Sequence, residues 1–273
     1  MAAPLPALTL YRIDGACSLA AHITLRELEI PFTAARMIIN QTTQKAEAAD
    51  GTLTYEEYVR EIHPNGQVPA LEVHFPDLSP PSPSSPGSPT PRTNYPPNKI
   101  VAITENPAIL LYIADLAASL PATEDSAPKP SLAGSNPLNR ALVTSWLSFL
   151  SGSVHGQAFS ALYRPRRFID TTLYPGGEKA VREAGRRGID LFYGQVEERL
   201  VEAKGKGEGE GEYAVGGELS VVDFNLYVFY RWGRDLGLDM EGRYPKWSRL
   251  VRRLEGRASV KTACWVEGMS GMF

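Results

Sequence analysis

The sequence predicts an α/β module followed by an all-α helical module, and three observations carry that expectation. A chain of 273 residues, 43% of them hydrophobic, has material for two cores of ordinary domain size. Up to residue 120 the strand and helix signals run in the order βαβα and then ββα. From Asn136 onward every apolar spacing is helical. The two domains are therefore expected at residues 1–122 and 136–273.

Each element has its own signal. Residues 8–13 (LTLYRI) read as a short buried strand closed by Asp14-Gly15, and residues 18–29 as a helix stopped by Pro31. Residues 32–39 end in apolar β-formers and give a second strand. Thr54 with Glu57 forms a capping-box pattern ahead of Tyr55, Tyr58, Val59 and Ile62, a short helix reaching His63 before the Pro64-Asn65-Gly66 turn. Residues 70–75 and 99–104 are two further strands. Between them, residues 76–98 hold nine of the chain's 22 prolines and five serines, so this segment is expected as a disordered, partly polyproline insertion in a hairpin. Its PxxP spacings fit either a spacer or an SH3-type ligand. Residues 104–120 are helical, with Asn106 as N-cap and Pro107 in the first turn. Long helices are expected over 137–163, 177–203 and 220–236, then two shorter ones. The KGKGEGEGE stretch at 204–212 reads as a loop.

Composition excludes several functions. With 28 basic against 31 acidic residues there is no field to collect nucleic acid or anionic lipid. Two cysteines, Cys17 and Cys264, make neither a disulfide framework nor a metal clip, and the four histidines, His22, His63, His74 and His155, show no ligand spacing; no metal is expected. The N-terminus has neither the basic start nor the apolar run of a secretory signal, so a cytoplasmic location is the expectation. The uncharged stretch 141–163 is interrupted by serines, glycines, His155 and Gln157 and reads as an amphipathic helix rather than a membrane span.

The stretch Gly15-Ala16-Cys17-Ser18-Leu19-Ala20-Ala21-His22-Ile23-Thr24-Leu25-Arg26-Glu27 resembles the first strand–helix junction of beta-class glutathione transferases. Four further stretches resemble that family in the same order. Asn65-Gly66-Gln67-Val68-Pro69-Ala70-Leu71 is similar to its cis-proline loop, and Thr104-Glu105-Asn106-Pro107-Ala108-Ile109 to its γ-glutamyl-binding turn. Trp146-Leu147 with His155 and Tyr163-Arg164-Pro165 is similar to the first long helix of its second domain. Ser220-Val221-Val222-Asp223 with Arg231-Trp232 is similar to its later capping motif. The resemblance implies the glutathione transferase fold: a thioredoxin-like N-terminal domain that binds glutathione as co-substrate, an all-α C-terminal domain that receives an electrophilic small molecule, and a homodimer. It implies an enzyme that conjugates or removes glutathione. Thiol-disulfide reduction or dehalogenase/lyase chemistry, and a non-catalytic binding module on the same fold, are the alternatives.

Physical reasoning supports individual assignments. Cys17 precedes a helix whose first amides are unpaired, a setting that lowers a thiol pKa; the bland reading is a small buried hydrophobe. Residue 20 is Ala, so a second sulfur must come from glutathione. Ser18 competes as activating hydroxyl but reads better as a helix cap, and His22 as a packed histidine. A cis peptide at Val68-Pro69 would let an extended peptide pair with Val68, with Gln67 beside it, and the resemblance makes that peptide the cysteinyl unit of glutathione. Glu105 and Asn106, at a helix N-terminus, suit the γ-glutamyl carboxylate and ammonium. Ser148 and His155, seven apart, are expected on one helix face; the resemblance implies that this face looks onto the glutathione site, where His155 is either a hydrogen-bond partner of the thiol or product, or a satisfied structural histidine. Three residues depart from the family pattern: Arg12 replaces an aromatic residue, Asp14 a proline, and Ser148 an asparagine. Residues 39–54 are longer than in the family, which leaves open whether Lys45 meets the glycyl carboxylate.

Overall fold

The computed structural model describes residues 5–43, 45–75, 99–120, 131–202 and 212–269. The Pro/Ser-rich segment 76–98 and residues 204–211 of the Gly/Glu/Lys stretch lie outside them.

Strands β1 (Ala7–Arg12), β2 (Thr33–Ile39), β3 (Ala46–Ala48), β4 (Ala70–His74) and β5 (Ile100–Thr104) form one mixed sheet in the order β3-β2-β1-β4-β5. β1 runs parallel to β2 through the crossover helix α1 (Leu19–Glu27), while β4 lies antiparallel to both β1 and β5. The β4–β5 register, Ala70 opposite Thr104 and His74 opposite Ile100, extends to a Phe75–Lys99 backbone bond of 3.1 Å. A long insertion between strands is compatible with this pairing because closure entropy grows only with the logarithm of loop length.

Alternation along the strands divides the sheet's faces. Leu8 and Leu10 point towards α1 and α3 (Asn106–Ser119) in the main core. Tyr11, Met37 and Ala70 point the other way, onto Tyr58 and Ile62 at α2 (Tyr55–Glu61). Thr54 caps α2 as its sequence predicts, its hydroxyl accepting from the Glu57 amide at 3.3 Å while the Glu57 carboxylate accepts from the Thr54 amide at 2.9 Å.

Four expectations need correction. The sequence predicts four strands, and the fifth, β3, forms in the longer stretch after Ile39, where alternately buried Ala46 and Ala48 flank Glu47. Asn106 is the first helical residue of α3 rather than its cap; the cap position is Glu105, with φ 71° and ψ 114°. The single long helix over 137–163 is α4 (Pro137–Phe149), a π-helical stretch Leu150–Phe159 and one last turn, α5 (Ser160–Tyr163). Gly152 and Gly156 lie in the π stretch, where weak α propensity favours the wider turn. Three short helices, not two, follow α6 (Glu178–Glu202) and α7 (Val221–Asp235): α8 (Met240–Arg243), α9 (Pro245–Glu255) and α10 (Ala258–Val266).

One continuous core joins the two layers: α1 packs on α7 and α10, and α3 on α4 and α7. Gly185 of α6 lets that helix approach the preceding bundle, since a Cβ there would lie 2.6 Å from the Leu162 amide nitrogen. At α7, the buried Asp223 carboxylate accepts from the Ser220 amide at 2.8 Å, the Ser220 hydroxyl at 3.0 Å and the Ala214 amide at 2.8 Å. The pair therefore fastens the entry to α7. Glu27 at the end of α1 accepts from Arg257 Nε at 3.1 Å and Ser259 Oγ at 2.5 Å, tying α1 to the start of α10. No helix among the described residues is long and apolar enough to cross a membrane.

Candidate functional site

The loop from β1 into α1 carries Cys17, and both domains hold it. Gly15 adopts φ +70°, which leaves its peptide groups facing the helical domain. Its carbonyl accepts from Trp232 Nε1 of α7 at 2.9 Å, and its amide donates to Glu267 Oε2, just past α10, at 2.8 Å. The other Glu267 oxygen accepts from His22 Nδ1 at 2.7 Å. Arg26 Nε donates to His22 Nε2 at 2.8 Å, which leaves Nδ1 to carry the proton shared with Glu267. His22 is thus a packed histidine, fully buried and in edge contact with Phe32.

Ser18 is not a side-chain cap. Its hydroxyl donates to the Ile13 carbonyl at 3.2 Å and accepts from the Ile13 amide at 3.3 Å, closing the loop beneath Cys17. This fully buried hydroxyl is committed to backbone. Cys17 itself is 8% exposed, and its thiol donates to the Val68 carbonyl at 3.4 Å. Burial pushes that thiol up to about 11, against the opposing pull of Arg164 and of the hydrogen bonds from the Cys17 and Ser18 amides. The lowered pKa that the helix start implies is thereby overturned: the amides act in the stated direction, and desolvation outweighs them.

Val68–Pro69 is a cis peptide. Tyr58 OH donates to the Gln67 carbonyl at 2.6 Å and steadies the approach to it. Because Ala70 pairs with Thr104, Pro69 stands beside Glu105, and Cys17, Val68 and Glu105 come together at one end of the sheet. Glu105 holds a left-handed conformation rare for a side-chain-bearing residue, the kind of strain retained at ligand sites. Asn106 Nδ2 donates to Asn225 Oδ1 of α7 at 3.2 Å, and Asn106 Oδ1 is buried without a partner.

Across the cleft the π stretch changes the register of its helix. Ser148 lies exposed on α4, whereas His155 is half-buried, 5.4 Å from the Trp232 ring and 6.1 Å from Phe229. The seven-residue spacing therefore does not give them one shared stripe. Burial, reinforced by Arg164 and Arg167, pushes the His155 imidazole down to about 4, so it is neutral near pH 7.

Sequence reasoning did not single out Glu267, Arg164 or Arg167 as site groups. Three arginines in the four residues Arg164-Pro165-Arg166-Arg167 were a usable signal; nothing local marks Glu267. Lys45 is turned to the surface, its Nζ 3.0 Å from Glu56 and 4.6 Å from the Tyr55 ring centre. Among the described residues there is no group of three or more His, Cys, Asp or Glu that could hold a metal ion.

A mixed β3-β2-β1-β4-β5 sheet with a cis-proline loop, followed by a helical domain packed on it, is the layout of the glutathione transferase fold. Residues 153–258 match the family model described as glutathione S-transferase, C-terminal domain. The chain is 26% identical over 260 residues to glutathione S-transferase GstA of Escherichia coli O157:H7, covering 95% of this chain and 98% of that one. A bacterial beta-class glutathione S-transferase of Sphingomonas chungbukensis matches it at 28% identity with a TM-score of 0.61, over 96% of this chain and 99% of the other. A sphingomonad glutathione S-transferase solved in complex with glutathione matches at 26% identity and a TM-score of 0.62, with the same coverage. The chain thus has the glutathione transferase fold, its residues 153–258 match that family's C-terminal domain, and over nearly its whole length it is similar to glutathione S-transferases.

Proposed function

We propose that this enzyme transfers glutathione to, or removes it from, an electrophilic small molecule, with residues 1–122 binding the tripeptide and residues 136–273 shaping the acceptor pocket. The observation that carries the reading is the contact between the Cys17 thiol and the Val68 carbonyl. A peptide paired with Val68 as an added strand sets its own cysteinyl side chain beside Cys17. Glu105 and Asn106, at the start of α3, then receive the γ-glutamyl ammonium and carboxylate.

A protonated Cys17 serves as a hydrogen-bond donor to the glutathione sulfur, stabilising that sulfur as thiolate. The thiolate attacks the electrophilic carbon, a C–S bond forms, and the leaving group departs with the bonding pair. The reading assigns His155, which is neutral near pH 7, one hydrogen bond to this sulfur or to the product, given or accepted. Ser18, committed to Ile13, supports the loop. Reductase or lyase chemistry would need Cys17 as thiolate, and its burial disfavours that state.

The family resemblance and the exposed Leu138 and Leu142, one turn apart on α4, support a homodimer, and the reading places the enzyme in the cytoplasm. The test combines native mass spectrometry in glutathione with turnover of a dinitrophenyl halide. A dimer holding one glutathione per chain and forming the thioether is expected, with Cys17→Ala losing most of kcat. Binding without turnover on a panel of electrophiles would leave the non-catalytic reading in its place; a rapid mixed disulfide with oxidised glutathione at pH 7 would favour the reductase.

A further inference from the structure

The candidate cation for the glycyl carboxylate, Lys45, is already engaged by Glu56 and by the Tyr55 ring. The short 3-10 turn Pro165–Arg167 after α5 offers another. Arg166 points away and pairs with Glu178 at 2.8 Å. Arg164 and Arg167, on either side of it, have no carboxylate partner among the described residues. With the Gln67 amide oriented so that its oxygen faces the second domain, Arg167 Nη2 and Nη1 donate to it at 2.7 and 3.0 Å. A guanidinium from the helical domain is therefore docked on the residue immediately before Val68.

Strand direction decides what it meets there. The β4–β5 register puts Glu105 beside Pro69, on the far side of Val68 from Gln67. A tripeptide that pairs its central residue with Val68 and lays its γ-glutamyl end on Glu105 must run antiparallel to 67–69. Its third residue then falls about 3.3 Å further on, next to Gln67. We propose that Arg167 is the residue that binds the glycyl carboxylate of glutathione, so that the second domain, rather than Lys45, reads that end of the ligand. Two nearby cations on one short turn repel each other, and a carboxylate at Gln67 relieves that repulsion while taking the donors that Gln67 leaves over on the guanidinium, at Nε and the outer Nη hydrogens. The Gln67 side chain holds the fork in place before the ligand arrives.

This inference rests on the proposed glutathione site, and the test separates the two. Calorimetric titrations compare glutathione with its glycyl monoethyl ester, which keeps everything but the negative charge, on the full-length wild type, Arg167→Gln, Arg167→Lys and Lys45→Gln. The wild type is expected to bind glutathione on the order of tenfold more tightly than the ester, the size of one charge-assisted pair. Arg167→Gln should bring glutathione down to the affinity of the ester and leave the ester unchanged, and Arg167→Lys should recover part of the difference. Equal wild-type affinities, or discrimination lost in Lys45→Gln and kept in Arg167→Gln, would overturn the assignment while leaving the glutathione site standing. Failure of the wild type to bind either ligand would overturn both.

Discussion

The ligand-free protein should hold Cys17 as a thiol well into the alkaline range. Its ordinary value of 9 is displaced to about 11 by burial, two pH units. At neutral pH that leaves roughly a hundredfold less thiolate than an unperturbed cysteine has. The measurement is a titration of thiolate absorbance at 240 nm in a Cys264→Ser background, matched by the pH dependence of iodoacetamide labelling followed by mass spectrometry. The midpoint should lie near 11, and Arg164→Gln should move it higher, because Arg164 is the largest influence pulling it down. Stability gives a second reading. Between pH 9 and 11 the unfolded chain releases this proton and the native protein keeps it, so the native state binds more protons and stability falls as pH rises. The loss reaches about 3 kcal/mol above the folded value. Cys17→Ala should remove that part of the alkaline decline when urea unfolding is compared across the range. A labelling midpoint at 8.5 or below would refute the reasoning and restore the helix terminus as the dominant influence.

Three further outcomes follow from other parts of the fold. Burial acts to raise the Glu27 carboxyl, but hydrogen bonds from Arg257 and Ser259 outweigh it and hold the group below 4.5, so its stabilisation is present above that pH and lost as pH falls through the lower folded value. Glu27→Gln should therefore cost about 2 kcal/mol at pH 7 and flatten the acid limb in urea unfolding measured from pH 3 to 7; an unchanged acid limb would contradict it. Gly185→Ala should lower the melting temperature by about 4 °C or more, as a methyl group meets the Leu162 backbone, and an unchanged melt would show that α6 has slack there. Because His155 titrates at about 4, kcat between pH 5 and 8 should show no limb that His155→Phe abolishes.

Most of the thioredoxin-like half was legible because its signals are local. The capping box of α2, the short apolar run of β1 and the Asp14-Gly15 stop each depend on neighbours a few residues away. The π stretch was not legible, since it arises where a run of small residues in a long helix meets the packing of α6, and small residues alone do not distinguish it from an amphipathic α-helix. Asn106 looked like a cap by composition, but the sheet register places the strained Glu105 at the cap and draws Asn106 against Asn225 of α7. Cys17 shows the limit most clearly. Its place at a helix start is written in the sequence, whereas the depth of its burial depends on a domain that begins more than a hundred residues later.

The departures from the family pattern at Arg12 and Asp14 become intelligible through a residue at the other end of the chain. Glu267 is a fully buried carboxylate, and a charge in that position is costly unless its oxygens are met. Gly15 and His22 meet them by hydrogen bonds, and the buried Arg12 guanidinium lies 3.8 Å away. Arg12 in turn is paired with Asp14, and Asp14 Oδ2 accepts from Arg36 Nε at 2.7 Å at the surface. The aromatic residue and the proline of the resembling sequences are thus replaced together by a cation and an anion that carry charge in a line from solvent to Glu267. Since Glu267 also holds the Gly15 amide, and Trp232 the Gly15 carbonyl, the conformation of the loop that presents Cys17 is set by groups the helical domain supplies. The thiol-bearing loop belongs to the first domain by sequence and to the interface by its hydrogen bonds.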